Sequence, residues 1–253
     1  VIDDPADKKD VIARNIERGL NIAESAIVRE EAKIIVFPEA WLQGFNHTRS
    51  DQDWEDICIQ IPGPETAKIG AFAKKHQVYV AGAAFERDPD WPEVWFTTGF
   101  ILGPSGEVEL RYRKIHEHNL EGLIPNVSPA DVLTDYTSRY GEDSLFPVLD
   151  TPYGRLAMMV EHDMNFFELS RVLTFHGAEI LLHPTAEWNG PMVHTLDQAR
   201  RSRAYENFIY LASANAGAIV SKYSAAQASR GCSTVINYLG NVESAIDGAG
   251  ESI

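Results

Sequence analysis

The chain has 253 residues, 44% hydrophobic and 23% charged, a balance typical of soluble globular proteins and not of disordered or fibrous ones. Its formal net charge of −15 works against nucleic-acid binding through phosphates, and no apolar run reaches the roughly 18 residues that a membrane-spanning helix requires. The 2 cysteines, Cys58 and Cys232, stand far apart without a CxxC pattern, so neither a disulfide framework nor a zinc cage is expected, and a cytoplasmic location fits.

Val11, Ile12, Ile16, Leu20, Ile22 and Ile27 recur at helical spacing between charged residues, which predicts an amphipathic helix over 7–29. The nearly continuous apolar run 32–38 predicts a strand buried on both faces and broken by Pro38-Glu39, so Glu39 falls at a strand end. The turn sequence Ile61-Pro62-Gly63-Pro64-Glu65-Thr66 opens a helix through about residue 75, and a strand follows over 78–83. Strands over 96–102 and 108–112 flank Gly103-Pro104-Ser105-Gly106 as a β-hairpin, and the second delivers Lys114 at its end.

Residues 115–150 hold few periodic stretches apart from a helix near 130–140, and read as an excursion that walls a site. Alternation then resumes: a strand over 156–160, a helix over 168–176, a strand over 179–183, a helix over 197–207, and strands over 209–214, 234–237 and 242–245. This order predicts a layered α/β architecture, with no repeat or linker to divide 1–253 into more than one domain.

Glu39, Lys114 and Glu161 each follow an apolar strand, so in a sheet-based fold they converge at one end of adjacent strands. The surrounding segments are Val36-Phe37-Pro38-Glu39, Arg111-Tyr112-Arg113-Lys114-Ile115-His116, and the run from Gly154 through Val160-Glu161-His162-Asp163 to Phe166-Phe167-Glu168. With Arg203-Ala204-Tyr205-Glu206-Asn207 and Ser213-Ala214-Asn215 in the same order, they resemble the nitrilase (carbon–nitrogen hydrolase) superfamily over nearly the whole chain.

The resemblance implies a four-layer α-β-β-α sandwich, here lacking terminal strands, that hydrolyses small nitriles, amides or carbamoyl compounds without a cofactor. It implies a homodimer or larger homo-oligomer, built through the helices over 168–176 and 197–207. It also assigns roles: the residue at Glu39 is a general base, that at Lys114 stabilises an oxyanion, and a cysteine at the position of Glu161 is acylated. A further glutamate downstream of the lysine often assists; Glu121 is the better match and Glu117 the weaker. The departures are Glu161 for the cysteine, His162 for a tyrosine, Phe167 for a proline, and Phe96 where asparagine is common.

A thiolate is a potent nucleophile, whereas a carboxylate is a weak one better suited to moving protons. Two carboxylates about 4 Å apart repel by several kcal/mol at an effective dielectric near 20, so one of Glu39 and Glu161 holds a proton unless Lys114 compensates both. A Glu-Lys-Glu site of this kind serves acid/base chemistry on a small amide-like, nitrile-like or related polar substrate. The alternatives are a noncatalytic scaffold with a buried Glu161–Lys114 ion pair, or a disarmed amidohydrolase in which Glu161 was introduced.

His162, Trp188, Phe96 and His183 are candidates for lining the substrate pocket. His116, His118 and His162 lack a recognised ligand spacing, so no metal is expected. Cys58, within Ile-Cys-Ile, reads as a small buried apolar residue, and Cys232 lies far from the motif position.

Overall fold

The computed structural model describes residues 1–117, 124–187, 193–218, 220 and 231–246, except the side chains of Val193 and His194. Helix α1, Lys8–Glu30, buries Val11, Ile12, Ile16, Gly19, Ala23 and Ala26 along one face, as its spacing predicts. It packs beside α3, Pro64–His76, whose first turn is fixed by Pro64 and by Thr66, whose Oγ1 accepts from Gly63 N at 2.8 Å. Both helices share a core with a four-stranded sheet of order β1-β2-β3-β4: Ile34–Glu39, Tyr79–Glu86, Phe96–Leu102 and Val108–Arg113. β1 runs parallel to β2, while β2–β3 and β3–β4 are antiparallel, so β1 and β4 end at the same edge of the sheet.

All residues of β2 and β3 are buried, including the polar Glu86, Thr97 and Thr98. Helix α3 crosses the β3–β4 hairpin closely: a Cβ added at Gly70 would lie 2.0 Å from the Gly106 carbonyl oxygen, and Gly106 itself has φ +92°.

The second sheet has the order β10-β9-β8-β7-β6-β5. Its strands in chain order are Leu149–Thr151, Gly154–Met158, Ile180–Thr185, Tyr210–Asn215, Thr234–Ile236 and Val242–Ala245. β6, β7 and β8 are parallel neighbours, and the outer pairs are antiparallel. Helices α5, Phe167–Phe175, and α6, Val193–Asn207, pack against each other, and Leu169, Leu173 and Ala204 meet Met158, Leu181 and Leu211. β1 lies over β7 and β8, with Ala81, Ala83, Ile101 and Tyr112 in the same core as Met158 and Val160. The result is a four-layer α-β-β-α sandwich, with one core between the sheets and α5–α6 and another under α1–α3. Among the described residues no helix is long and apolar enough to cross a membrane.

Three local expectations need correction. Pro38 does not end β1, which runs to Glu39; β1 is an edge strand in its sheet, where a missing N–H is tolerated, and its register slips between Val36 and Glu39. The strand expected over 156–160 ends at Met158, and Glu161–Asn165 forms a 3₁₀ turn. A short helix, α2, Asp51–Ile57, appears where none was expected, with α4, Leu133–Tyr140, following later in the chain. Its signal is the capping box Ser50–Asp53: Ser50 Oγ accepts from Asp53 N at 3.2 Å, and Asp53 Oδ2 accepts from Ser50 N at 3.1 Å.

Candidate active site

Glu39 is the last residue of β1, and Lys114 immediately follows β4, its N–H still laddered to the Thr97 carbonyl at 2.9 Å. Glu161 opens the 3₁₀ turn beyond β6, from the opposite sheet. Lys114 Nζ bridges the two carboxylates, donating to Glu39 Oε1 at 3.1 Å and to Glu161 Oε2 at 3.0 Å. The Glu39 and Lys114 side chains are 2% and 3% exposed, whereas Glu161 is 22% exposed, so Glu161 is the member of the three most open to solvent.

A third carboxylate belongs to the group. Glu117 Oε2 lies 3.7 Å from Lys114 Nζ, and its side chain is 8% exposed. Glu121, the glutamate favoured from the sequence, lies outside the described residues, as does Trp188.

Burial pushes the Glu39 carboxyl up to about 8, against the Lys114 charge and with added repulsion from Glu161 and Glu117. Burial likewise raises Glu117 to about 7, opposed chiefly by Lys114. Lys114 is itself desolvated, but the surrounding carboxylates hold it well above the ordinary lysine range. The site therefore keeps its cation and stores protons on its carboxylates near neutral pH.

The backbone at Glu161 is in the left-handed region, φ +42°, which costs a non-glycine residue about 1–2 kcal/mol. Fixed groups hold it there. Asp163, fully buried, accepts from Val160 N at 3.0 Å, Tyr112 Oη at 2.7 Å and His116 N at 3.0 Å. His116 Nδ1 also meets Asp163 Oδ1 at 3.0 Å, and the imidazole stacks on Phe166 with centroids 3.8 Å apart. On the other side, His183 Nε2 lies 3.1 Å from the Glu161 carbonyl, while Nδ1 is 2.9 Å from Ser213 Oγ. A carbonyl only accepts, so Nε2 carries the hydrogen, and in the neutral ring Nδ1 accepts from the serine hydroxyl.

The pocket candidates thus separate. His183 is fully buried beneath Glu161 and supports its backbone. His162 is half-buried within the turn, its Nδ1 3.0 Å from Asn165 Nδ2. Phe96 is fully buried in a different cluster with Trp91 and Tyr136, under the Arg113 guanidinium at 4.4 Å from its ring centre. Arg113 there bonds Glu86 at 2.9 Å and Asp88 at 2.6 Å, so Phe96 serves a buried ion-pair network adjoining the site. Among the described residues, which do not include His118, no group of three or more His, Cys, Asp and Glu could hold a metal ion; Cys58 is buried, and burial raises its thiol.

Asp163, Tyr112 and the buried pair of Glu187 and Arg200 carry no strong signal in the sequence; Arg200 Nη2 donates to Glu187 Oε1 and Nη1 donates to Asp197 at 3.1 Å. Asp163 lies inside the quoted motif and Tyr112 two residues before Lys114; a polar residue buried beside a candidate charge was the available signal.

Burial and the Arg200 charge lower His183 to about 3. The unfolded chain then binds the extra proton between about pH 6.5 and 3, so stability falls as pH falls through that window. Between pH 7 and 5 this group alone is expected to cost about 2 kcal/mol. Glu39 and Glu117, with raised pKa values, act with the opposite sign. The His183 contribution is isolated by comparing urea unfolding of wild type and His183→Gln at both pH values: the variant should lose less stability on acidification.

A carbon-nitrogen hydrolase family model matches residues 8–251. The omega-amidase NIT2 of Homo sapiens is 28% identical over 230 residues, 90% of this chain and 77% of that protein. The formamidase of Bacillus thuringiensis (strain Al Hakam) is 33% identical over 184 residues, 72% of this chain and 50% of that protein. Among solved structures, Saccharomyces cerevisiae Nit3, a member of branch 10 of the nitrilase superfamily, superposes with a TM-score of 0.77 at 20% identity, covering 96% of this chain and 82% of that one. With the sandwich and strand-end site already in place, the match over 8–251 makes this chain a member of the carbon-nitrogen hydrolase family.

Proposed function

We propose that this protein hydrolyses a carbon–nitrogen bond in a small amide-like or related polar substrate without forming a thioester. Glu161 takes the proton of an attacking water, Glu39 donates a proton to the leaving nitrogen, and Lys114 holds both carboxylates in register. The observation that carries this reading is the Lys114 bridge between a buried carboxyl and a more exposed one, 3.1 and 3.0 Å away. The environments divide the labour: burial keeps the Glu39 proton to about pH 8, so Glu39 enters the cycle as the acid. This reverses the roles expected from the family resemblance, in which the residue at Glu39 is the base. The amide-directed names of the human and Bacillus relatives support the substrate class.

Single turnover in ¹⁸O-labelled water tests the role of Glu161. Water attack places the label in the product and leaves the protein mass unchanged. Label appearing in the Glu161 carboxyl would instead mean that this carboxylate attacked the substrate and became acylated.

A second reading is a noncatalytic family member, and one observation favours it: Lys114 already donates to Glu39 and Glu161, reducing what it offers an oxyanion. Turnover by the native chain separates the two readings.

We further propose a homodimer formed through α5, α6 and the residue after α6, where Phe167, Phe175, Tyr205 and Phe208 are 54%, 78%, 58% and 70% exposed. Light scattering at micromolar concentration is expected to give twice the chain mass. A monomer there would contradict it.

A further inference from the structure

An acid/base cycle leaves the two carboxyls in the wrong protonation states for the next turnover. Glu161 has taken a proton from water and Glu39 has given one to the leaving nitrogen, so a proton must reach Glu39, and one must leave Glu161, before the site acts again. The two differ in their access to water. The Glu161 side chain is 22% exposed, whereas that of Glu39 is 2% exposed, and among the described residues only Lys114 hydrogen-bonds the Glu39 carboxyl.

Lys114 stands between them. Its Nζ lies 3.1 Å from Glu39 Oε1 and 3.0 Å from Glu161 Oε2, so one nitrogen shares a hydrogen bond with each carboxyl. An ammonium carries three equivalent hydrogens on a rotating group, which lets it give a proton along one bond and take one along the other. The neighbouring groups offer no such path: Glu117 lies 3.7 Å from Nζ, His183 meets Glu161 through the main-chain carbonyl, and Asp163 is engaged by Val160 N, Tyr112 and His116. Burial makes Glu39 the preferred holder of the proton, up to about pH 8, which gives the transfer its direction. The surrounding carboxylates hold Lys114 well above the ordinary lysine range, so it gives up a proton only as it regains one.

We infer that Lys114 is a proton relay that resets the site by carrying the proton from Glu161 to Glu39, on the reading that Glu161 is the base and Glu39 the acid. Once ammonia and the carboxylic acid have formed, one Nζ–H bond breaks and its proton joins Glu39 Oε1, the electron pair staying on nitrogen. That pair forms a new N–H bond with the proton of Glu161 Oε2. Lys114 is again an ammonium, Glu161 a carboxylate and Glu39 a carboxylic acid, and a half-turn of the Glu39 carboxyl aims its proton back at the substrate. The proton taken from water equals the proton Glu39 lost, so substrate and water are the only reactants consumed.

Arginine separates the relay from the charge, because a guanidinium keeps the cation and its donors but does not deprotonate in proteins. Rapid-quench measurement of ammonia released from formamide and acetamide follows the first and later turnovers of the full chain. Lys114→Arg is expected to complete the first turnover within about 10-fold of the native rate and to slow later ones by at least about 10²-fold, a burst of one ammonia per folded chain. Lys114→Ala covers the case in which arginine does not fit. Added ethylammonium, which can pass on a proton, should raise its repeated turnover by at least about 10-fold, and added guanidinium should restore the first turnover alone. Undiminished repeated turnover in a folded Lys114→Arg protein would overturn the relay and leave the acid/base reading standing. So would restoration of repeated turnover by both cations or by neither. A native chain that releases no ammonia from either amide sinks the acid/base reading, and the relay with it.

Discussion

Glu161→Gln is expected to lower turnover by about 10²- to 10⁴-fold while leaving the fold intact, the range usual for losing a positioned acid or base. Glutamine matches glutamate in size, and its carbonyl oxygen still accepts from Lys114, which now donates to Glu161 Oε2 at 3.0 Å. The left-handed turn is held by Asp163 and His183 through backbone atoms, and these bonds do not involve the Glu161 side chain. What disappears is the ability to take a proton from water. The change also removes one of the repulsions that raise Glu39, so the Glu39 pKa should move down from about 8. Steady-state rates beside far-ultraviolet circular dichroism check both halves. An unchanged rate would remove Glu161 from the chemistry.

Lys114→Met should damage stability as well as activity, in a way that depends on pH. Removing one partner of a buried ion pair typically costs about 3–5 kcal/mol, because the remaining charge is left uncompensated. The groups left behind are Glu39, Glu161 and Glu117, of which Glu39 and Glu117 are buried and already raised, to about 8 and about 7. Lys114 is the chief force lowering Glu39 and Glu117, so its loss raises both further. The native state then binds more protons than the unfolded state from about pH 4.5 upward, and stability falls as pH rises through the native pKa values. Near pH 5, where both carboxyls are neutral, the variant should lie closest to wild type; near pH 8 the loss should approach the full about 3–5 kcal/mol. Denaturant unfolding at the two pH values measures this. A loss independent of pH would mean that Lys114 acts through packing instead of charge.

The architecture was legible wherever burial imposes a continuous apolar run or a helical stripe. β3 was placed at 96–102 from sequence, and Glu39 and Lys114 were placed at strand ends because the apolar runs before them stop there. Glu161 was located by motif, yet its local geometry was not legible. A strand continued through 160 would alternate side chains at 161 and 162, whereas the chain turns in a 3₁₀ conformation with φ +42° at Glu161.

That turn depends on Asp163 reaching Tyr112 and His116, 51 and 47 residues away in sequence, a pairing that no local pattern encodes. The resemblance places the assisting glutamate at the longer spacing of Glu121, which lies outside the described residues. In the structure, the bend after β4 brings the residue three positions beyond Lys114 back to its ammonium, 3.7 Å away. His183 follows an apolar run at a sheet edge, the pattern of a pocket-lining residue. It turns inward because Ser213 and the Glu161 carbonyl satisfy both ring nitrogens. Phe96 shows the same lesson, since an aromatic ring at a strand start gives no sign that Arg113 lies across its face.

The most direct measurement of the central claim is product formation by mass spectrometry for the native chain, Glu161→Gln and Glu161→Cys, side by side on amides, nitriles and carbamoyl compounds. If Glu161 is the working base, the native chain forms product and the Gln variant loses it. A native chain that is inert on the whole panel, with activity appearing only when Glu161→Cys supplies a thiol, would show a disarmed thiol hydrolase and contradict the account.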